Sequence, residues 1–175
     1  MQHFLVCKYD YDDLSYVDEW TTLCELLRST DLYSPSIQYL TLEKEFLDVV
    51  VQFFKAYADR SFQFRFCYLI HDVKEIDANA GHLQNLLLPL NDGIALIDKK
   101  LNELSLVERL ALFQLAVRGE VVIVVESIDK PSIVLSTVDD GFYWFLSLTN
   151  DCDPESLVQS NQLYIYESID IFDPA

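Results

Sequence analysis

Residues 41–70 have the sequence TLEKEFLDVVVQFFKAYADRSFQFRFCYLI, in which the spacing of apolar side chains changes once. From Phe46 to Tyr57 they recur every three or four residues, which predicts an amphipathic helix. From Phe62 to Ile70 every second residue is aromatic, except for the isoleucine at the last position, and this alternation predicts a strand with one aromatic face. A helix followed directly by a strand indicates a mixed fold.

A second helix and further strands are predicted on the C-terminal side. Ser105 and Glu108 have the spacing of a capping box, in which each side chain satisfies a backbone N–H of the other residue. A helix is therefore predicted from Leu106 to Arg118, with Gly119 as its end. Apolar runs predict strands over residues 121–125, 133–138, 142–148 and 162–168, with a turn at residues 139–141.

The N-terminal side adds another strand and another helix. Residues 3–8 form a short apolar run that predicts an opening strand. Ser15 is expected to cap a helix that ends near Thr30. Residues 31–41 are expected to form a loop whose last residue, Thr41, caps the next helix.

Together these elements predict one α+β domain over residues 1–175, with N-terminal helices packed on a mostly antiparallel sheet. Residues 1–60 are expected to be mainly helical, and residues 106–170 to form a helix followed by antiparallel strands. A chain of 175 residues, 51% of them hydrophobic, can bury about 70% of its unfolded surface. Folding therefore needs neither a metal ion nor a disulfide.

Charge is the strongest signal in the composition. The chain has 29 acidic and 12 basic residues, which gives a formal net charge of −17. Nucleic acids and anionic membranes repel such a protein, whereas basic proteins are attracted to it over long distances. Residues 131–175 contain eight acids and no base, and residues 1–31 contain seven acids. We therefore expect a basic protein as partner, with no direct contact to nucleic acid or membrane.

The chain shows no sign of export. Its N-terminal sequence, MQHFLVCKYD, lacks the cationic start and the long apolar run of a signal peptide. The longest uncharged stretch, residues 78–91, is too short to span a membrane. Cys7, Cys24 and Cys67 are expected to be small core residues. A cytoplasmic location is therefore expected.

No pattern of catalytic, metal-binding or cofactor-binding residues stands out. The four glycines are too far apart to form a phosphate-binding loop, and the three histidines lack the spacing of a zinc site. Asp151, Asp153 and Glu155 resemble the start of a calcium loop, but the glycine and the later glutamate of such a loop are missing. The sequence therefore predicts no catalytic residue, metal or cofactor. An enzyme whose site is assembled only in the folded chain stays an alternative.

Segments that mix acidic and aromatic residues are better candidates for a binding surface. Tyrosine gives a large contact area at a low entropic cost, and beside carboxylates it suits arginine and lysine side chains. One such segment is YDYDDLSY at residues 9–16, and LYIYESIDIFD at residues 163–173 repeats the mixture. The residues predicted to bind the partner are Tyr9, Asp10, Tyr11, Asp12, Asp13, Tyr16, Asp139, Asp140, Asp151, Asp153 and Glu155.

Part of the C-terminal half resembles a known family. A helix that ends at Gly119 is followed by EVVIVV, a pair of predicted strands with an Asp-Gly turn, and FYWFLSLTND. Over residues 106–157 this order is similar to the SseB-like family, with Thr149, Asp151 and Glu155 matching the end of its aromatic strand and the acidic segment that follows. The usual Phe-Thr-Ser of that family is Leu-Thr-Asn here. The resemblance implies an interaction domain of bacterial secretion and toxin systems, without enzymatic residues.

These features favour a non-enzymatic inhibitor of a basic toxin, an immunity protein of bacterial competition. Nuclease toxins are basic because they bind phosphate, and a small acidic protein can occupy the same surface. The alternatives are a nucleic-acid mimic that inhibits DNA-binding proteins, a secretion-system chaperone or adaptor, and the enzyme mentioned above. The sequence makes no prediction of the oligomeric state.

Overall fold

The computed structural model describes residues 1–8, 37–69, 100–137, 143–159 and 163–167. The helix predicted between Ser15 and Thr30 and the turn predicted at residues 139–141 lie outside these stretches. Two helices in the described stretches are α1, Ile37–Ala56, and α2, Leu106–Val117. The strands are β1, Gln2–Cys7; β2, Phe62–Leu69; β3, Val121–Ser127; β4, Val134–Thr137; β5, Trp144–Leu148; and β6, Tyr164–Glu167. Two short 3₁₀ turns span Leu101–Glu103 and Pro154–Leu157.

The six strands form one sheet with the order β2-β3-β4-β5-β1-β6. All the pairings between them are antiparallel. The predicted α+β class is therefore confirmed. Strand β1, the first in the chain, lies between β5 and β6, so contacts distant in sequence complete this half of the sheet.

Both helices pack on the same face of the sheet. Trp144 of β5 is buried there, and its indole N–H donates a hydrogen bond to the backbone oxygen of Phe46 in α1, at 3.0 Å. The ring of Trp144 also packs edge-on against Phe113 of α2, with 6.2 Å between ring centroids. One tryptophan thus connects the sheet to both helices.

Helix α1 begins earlier than the sequence predicts. Its first residue is Ile37, so Thr41 lies inside the helix and is not its cap. The Thr41 hydroxyl donates to the backbone oxygen of Ile37 at 2.8 Å, the contact that a threonine inside a helix makes with the residue four positions earlier. Buried Tyr39 and Leu42 extend the apolar stripe towards the start of the helix. The predicted cap at Thr41 was therefore wrong.

Helix α2 agrees with the sequence at both ends. The backbone N–H of Ser105 donates to the Glu108 carboxylate at 2.8 Å, and the backbone N–H of Glu108 donates to the Ser105 hydroxyl at 3.2 Å. Gly119 follows the helix with a φ of 72°, a conformation that glycine adopts without steric cost. Among the described stretches, neither helix combines the length and the apolar composition needed to cross a membrane.

Strand β2 contains an irregularity that the sequence does not predict. Phe64 pairs with Val125 and Phe66 pairs with the adjacent residue of β3, Val124, so Arg65 is the extra residue of a bulge. The regular alternation predicted from residue 62 to residue 70 is therefore interrupted, and Cys67 lies in the core.

Two of the cysteines predicted to lie in the core do so. Cys7 and Cys67 are both fully buried. Burial raises the pKa of Cys67 to about 12, because the apolar surroundings disfavour the thiolate. Cys24, the third predicted core cysteine, lies outside the described residues.

A buried ion pair joins the two helices. The Glu43 side chain of α1 accepts a hydrogen bond from Nε of Arg118, the residue that ends α2, at 2.7 Å. A second contact, from Nη2 of Arg118 to the other carboxylate oxygen, measures 3.4 Å. Glu43 is only 3% exposed. This two-point contact fixes α1 against α2, since a guanidinium and a carboxylate match in shape as well as in charge.

Candidate functional site

The predicted partner-binding residues fall into two groups. Tyr9, Asp10, Tyr11, Asp12, Asp13, Tyr16, Asp139 and Asp140 lie outside the described residues. Asp151, Asp153 and Glu155 are described, and all three are exposed in the connection between β5 and β6. We call residues 149–157 the acidic turn.

Asp153 organises the second half of the acidic turn. Its carboxylate accepts a hydrogen bond from the backbone N–H of Glu155 at 3.2 Å and so caps the 3₁₀ turn Pro154–Leu157. The Ser156 hydroxyl donates to the backbone oxygen of Asp153 at 2.6 Å. These contacts hold the Glu155 side chain on a defined turn at the surface.

Asp151 is kept ionised by its neighbours. A hydrogen bond from the Thr149 side chain lowers the pKa of Asp151 below its ordinary value, and its own backbone N–H and the positive charge of Arg60 act in the same direction. The carboxylate is therefore negatively charged over the whole physiological pH range.

Tyr57 attaches the acidic turn to the end of α1. Its hydroxyl lies 3.2 Å from the Thr149 hydroxyl and accepts a hydrogen bond from the Thr149 backbone N–H, also at 3.2 Å. Burial raises the pKa of Tyr57 to about 12, and a hydrogen bond with Cys152 adds to the increase, against a smaller opposing effect of Thr149. The tyrosine thus stays neutral and bridges helix and turn.

The acidic turn also meets the middle of α1. Buried Leu157 lines a cleft of about 280 Å³, together with Lys44, Glu45, Asp48, Val49, Gln52, Gln159 and Leu163. Lys44 forms an ion pair with Asp48 on the exposed side of α1. Oε2 of Glu45 is buried and has no hydrogen-bond partner within the described stretches. We call this cavity the acidic cleft.

Sequence reasoning missed Glu45 and Asp48 as candidate binding residues. Both lie on the polar side of α1, where charged residues of a helix usually face water. The signal that distinguishes them is that they line one cleft with Leu157, more than a hundred positions later in the chain. No periodicity within α1 could predict that arrangement.

A serine–histidine pair lies elsewhere on the sheet. Nδ1 of His3 in β1 is 2.9 Å from the hydroxyl of Ser147, its partner residue in β5. A catalytic triad needs a third group that orients the histidine. Among the described residues, the His3 side chain forms its hydrogen bond with Ser147. The part of the chain that the structure describes therefore holds two members of such a triad and no third.

Metal ligands are not clustered in the part of the chain that the structure describes. No group of three or more His, Cys, Asp or Glu side chains there is arranged to hold a metal ion. The carboxylates of Asp151 and Asp153 instead accept hydrogen bonds from their own turn.

Neither a protein family model, a curated protein nor a solved structure matches the chain. The resemblance of residues 106–157 to the SseB-like family therefore stays a prediction. Function has to be inferred from the charge and the geometry of the chain's own residues.

Proposed function

We propose that the protein is a non-enzymatic, acidic inhibitor that neutralises a basic toxin by covering its active surface. The observation that carries the proposal is the acidic turn beside the acidic cleft, in a chain of net charge −17. Residence in the cytoplasm, where an immunity protein would meet an incoming nuclease toxin, is part of the same proposal.

Long-range charge supports fast association with such a toxin. A strongly negative protein raises the local concentration of a positively charged partner and orients it before contact. The carboxylates of Asp151 and Glu155 are exposed and so contribute to this field at the surface. Charge on the rim of an interface acts mainly on the association rate.

The acidic cleft offers a position for a cationic side chain of the partner. A buried acceptor without a hydrogen-bond partner is unfavourable by about 1–3 kcal/mol. An arginine or lysine of a toxin that reached Glu45 Oε2 would remove this cost with a charge-assisted hydrogen bond. Such a contact is short-ranged, and it would slow dissociation.

The tyrosines between Tyr9 and Tyr16 complete the proposal as aromatic anchors. Their rings supply shape-specific contacts. A general mimic of nucleic acid does not need such contacts, because charge placement provides most of its affinity. Truncation of a central anchor typically reduces binding by about 2 kcal/mol or more. A dedicated inhibitor is therefore favoured over a general mimic.

A rescue experiment tests the function. Each gene that adjoins the gene for this chain is expressed alone and together with it in a bacterial host. We expect one product to be basic and toxic, and its toxicity to disappear on co-expression. If none of the products is toxic, or if co-expression leaves a toxic product active, the proposal is wrong. Inhibition of an unrelated pancreatic deoxyribonuclease by the purified chain would instead favour the nucleic-acid mimic.

Matched variants locate the surface. Glu45→Gln with Glu155→Gln removes two negative charges at the acidic cleft and the acidic turn. Asp59→Asn with Glu103→Gln removes two from exposed positions elsewhere. By calorimetry we expect the first pair to weaken toxin binding by about tenfold or more and the second by much less. Equal effects would show that net charge alone matters and that the cleft is not the interface.

A further inference from the structure

A second cavity lies on the other side of α1, between α1 and α2. Its volume is about 350 Å³. Aromatic side chains form much of its wall, among them Phe54, Phe62 and Phe113. The centroid of Phe54 lies 5.1 Å from that of Phe62 and 5.6 Å from that of Phe113, so the three rings form one packed cluster. We call this cavity the arginine groove, for the residues described next.

Of the described residues that line the arginine groove, two are arginines and none is a carboxylate, although acids outnumber bases by 29 to 12 in the chain. Arg60 comes from the turn between α1 and β2, and Arg109 comes from the first half of α2. Nε of Arg109 is buried and has no hydrogen-bond partner among the residues that the structure describes. The described lining of the groove is thus positive, although Arg60 also interacts electrostatically with the Asp151 carboxylate of the acidic turn.

The rim of the arginine groove is apolar and open to solvent. Val51 of α1 is 48% exposed, and Leu106 and Leu110 of α2 are 62% and 44% exposed. Exposed apolar side chains that surround a concave site are typical of a surface that binds a ligand.

We propose that the arginine groove binds a small amphiphilic anion, a molecule with an apolar or aromatic body and one acidic group. The body would lie against the ring cluster, and the acidic group would accept hydrogen bonds from Arg109 or Arg60. A guanidinium recognises carboxylates and related anions through paired, charge-assisted hydrogen bonds. Nε of Arg109, which has no acceptor among the described residues, would then gain one.

Size and charge favour a small molecule over an acidic polypeptide. The volume lies within the range of small-molecule sites, about 300–1,000 Å³. An acidic protein or an anionic membrane would be repelled at long range by a net charge of −17, and this repulsion grows with the charge of the partner. A single negative charge experiences little of it.

The walls of the arginine groove are also held in place without a ligand. The buried contact between Glu43 and Arg118 fixes the two helices, and Tyr57 fixes the end of α1 to the acidic turn. A preformed site avoids the entropic cost of ordering on binding. The inference does not depend on the proposed inhibitor function, because none of the groove residues belongs to the acidic cleft.

Two fluorescent probes that differ in charge test the proposal. 8-Anilinonaphthalene-1-sulfonate is an aromatic anion, and N-phenyl-1-naphthylamine has a closely similar body without the charge. We expect the folded protein to bind one equivalent of the anion saturably, and about tenfold more tightly than the neutral probe. Absence of saturable binding, or equal affinity for the two probes, would overturn the proposal.

Variants assign the binding to the groove. Arg109→Gln is expected to remove most of the preference for the anion, while Lys55→Gln, on the same helix as Val51 but outside the groove, leaves it unchanged. Leu110→Asp should abolish binding of both probes, whereas Ile128→Asp, at another exposed apolar residue, should not. Circular dichroism confirms that each variant is folded. Unchanged binding by folded Arg109→Gln and Leu110→Asp would place the probe elsewhere and refute the assignment.

Discussion

The two flanks of helix α1 present opposite chemistry. On one flank, Glu45 and Asp48 line the acidic cleft with the turn around Leu157. On the other flank, Val51 and Phe54 line the arginine groove with α2. The cleft matches the overall charge of the protein, and the groove opposes it. Net charge therefore describes how the protein attracts a large partner from a distance, but local side chains determine what each surface can bind.

The two flanks also differ in what supports them. The groove depends on the spacing of two helices, which the ion pair between Glu43 and Arg118 sets. The cleft depends on the acidic turn, which Tyr57, Asp153 and Leu157 hold in place. Tyr57 also lines the groove, so substitutions at Glu43 and at Asp153 are the ones that should separate the two surfaces.

The largest effect is expected at the ion pair. Glu43→Ala removes the carboxylate that the Arg118 guanidinium contacts, and loss of one partner of a buried ion pair typically costs about 3–5 kcal/mol. We expect chemical denaturation to show a loss of this order, and probe binding in the arginine groove to weaken.

Replacing both partners with apolar residues separates charge from packing. The double substitution Glu43→Leu with Arg118→Leu should recover much of the lost stability, because neither member of this pair is then left without the other. If Glu43→Ala changes neither stability nor probe binding, the ion pair does not support the groove.

A smaller effect is expected at Tyr57. Its pKa in the folded chain, about 12, is above the ordinary value of 10, so folding favours the neutral phenol. The corresponding stability is fully present below pH 10 and is lost as the pH rises through 12. Urea denaturation between pH 9 and pH 12 should therefore show a steeper loss for the wild type than for Tyr57→Phe. Parallel pH curves for the two proteins would contradict this role of the hydroxyl.

Local patterns predicted the helix ends and strands that depend on neighbouring residues. The capping box at Ser105 and the stop at Gly119 involve contacts of a few residues, and both are confirmed. The start of α1 was missed because Thr41 can bond to a carbonyl as well as cap a helix. The bulge at Arg65 was missed because an extra residue is defined only by the opposite strand.

Contacts between distant segments could not be predicted from patterns along the sequence. The place of β1 between β5 and β6 joins the two ends of the described chain. The acidic cleft and the arginine groove each combine residues from separate elements, so neither forms a pattern along the chain. Composition nevertheless predicted the acidic character that the proposed function uses.

The salt dependence of association tests the central claim most directly. Stopped-flow mixing would measure the association rate of this protein with the toxin that the rescue experiment identifies, at salt concentrations from about 0.02 M to about 0.5 M. Salt screens charges at a distance, so steering by the acidic surface predicts a fall in rate of about tenfold or more, with a smaller change in dissociation. A rate that is flat across this series would show that charge does not drive the encounter, and it would contradict the proposed mode of binding.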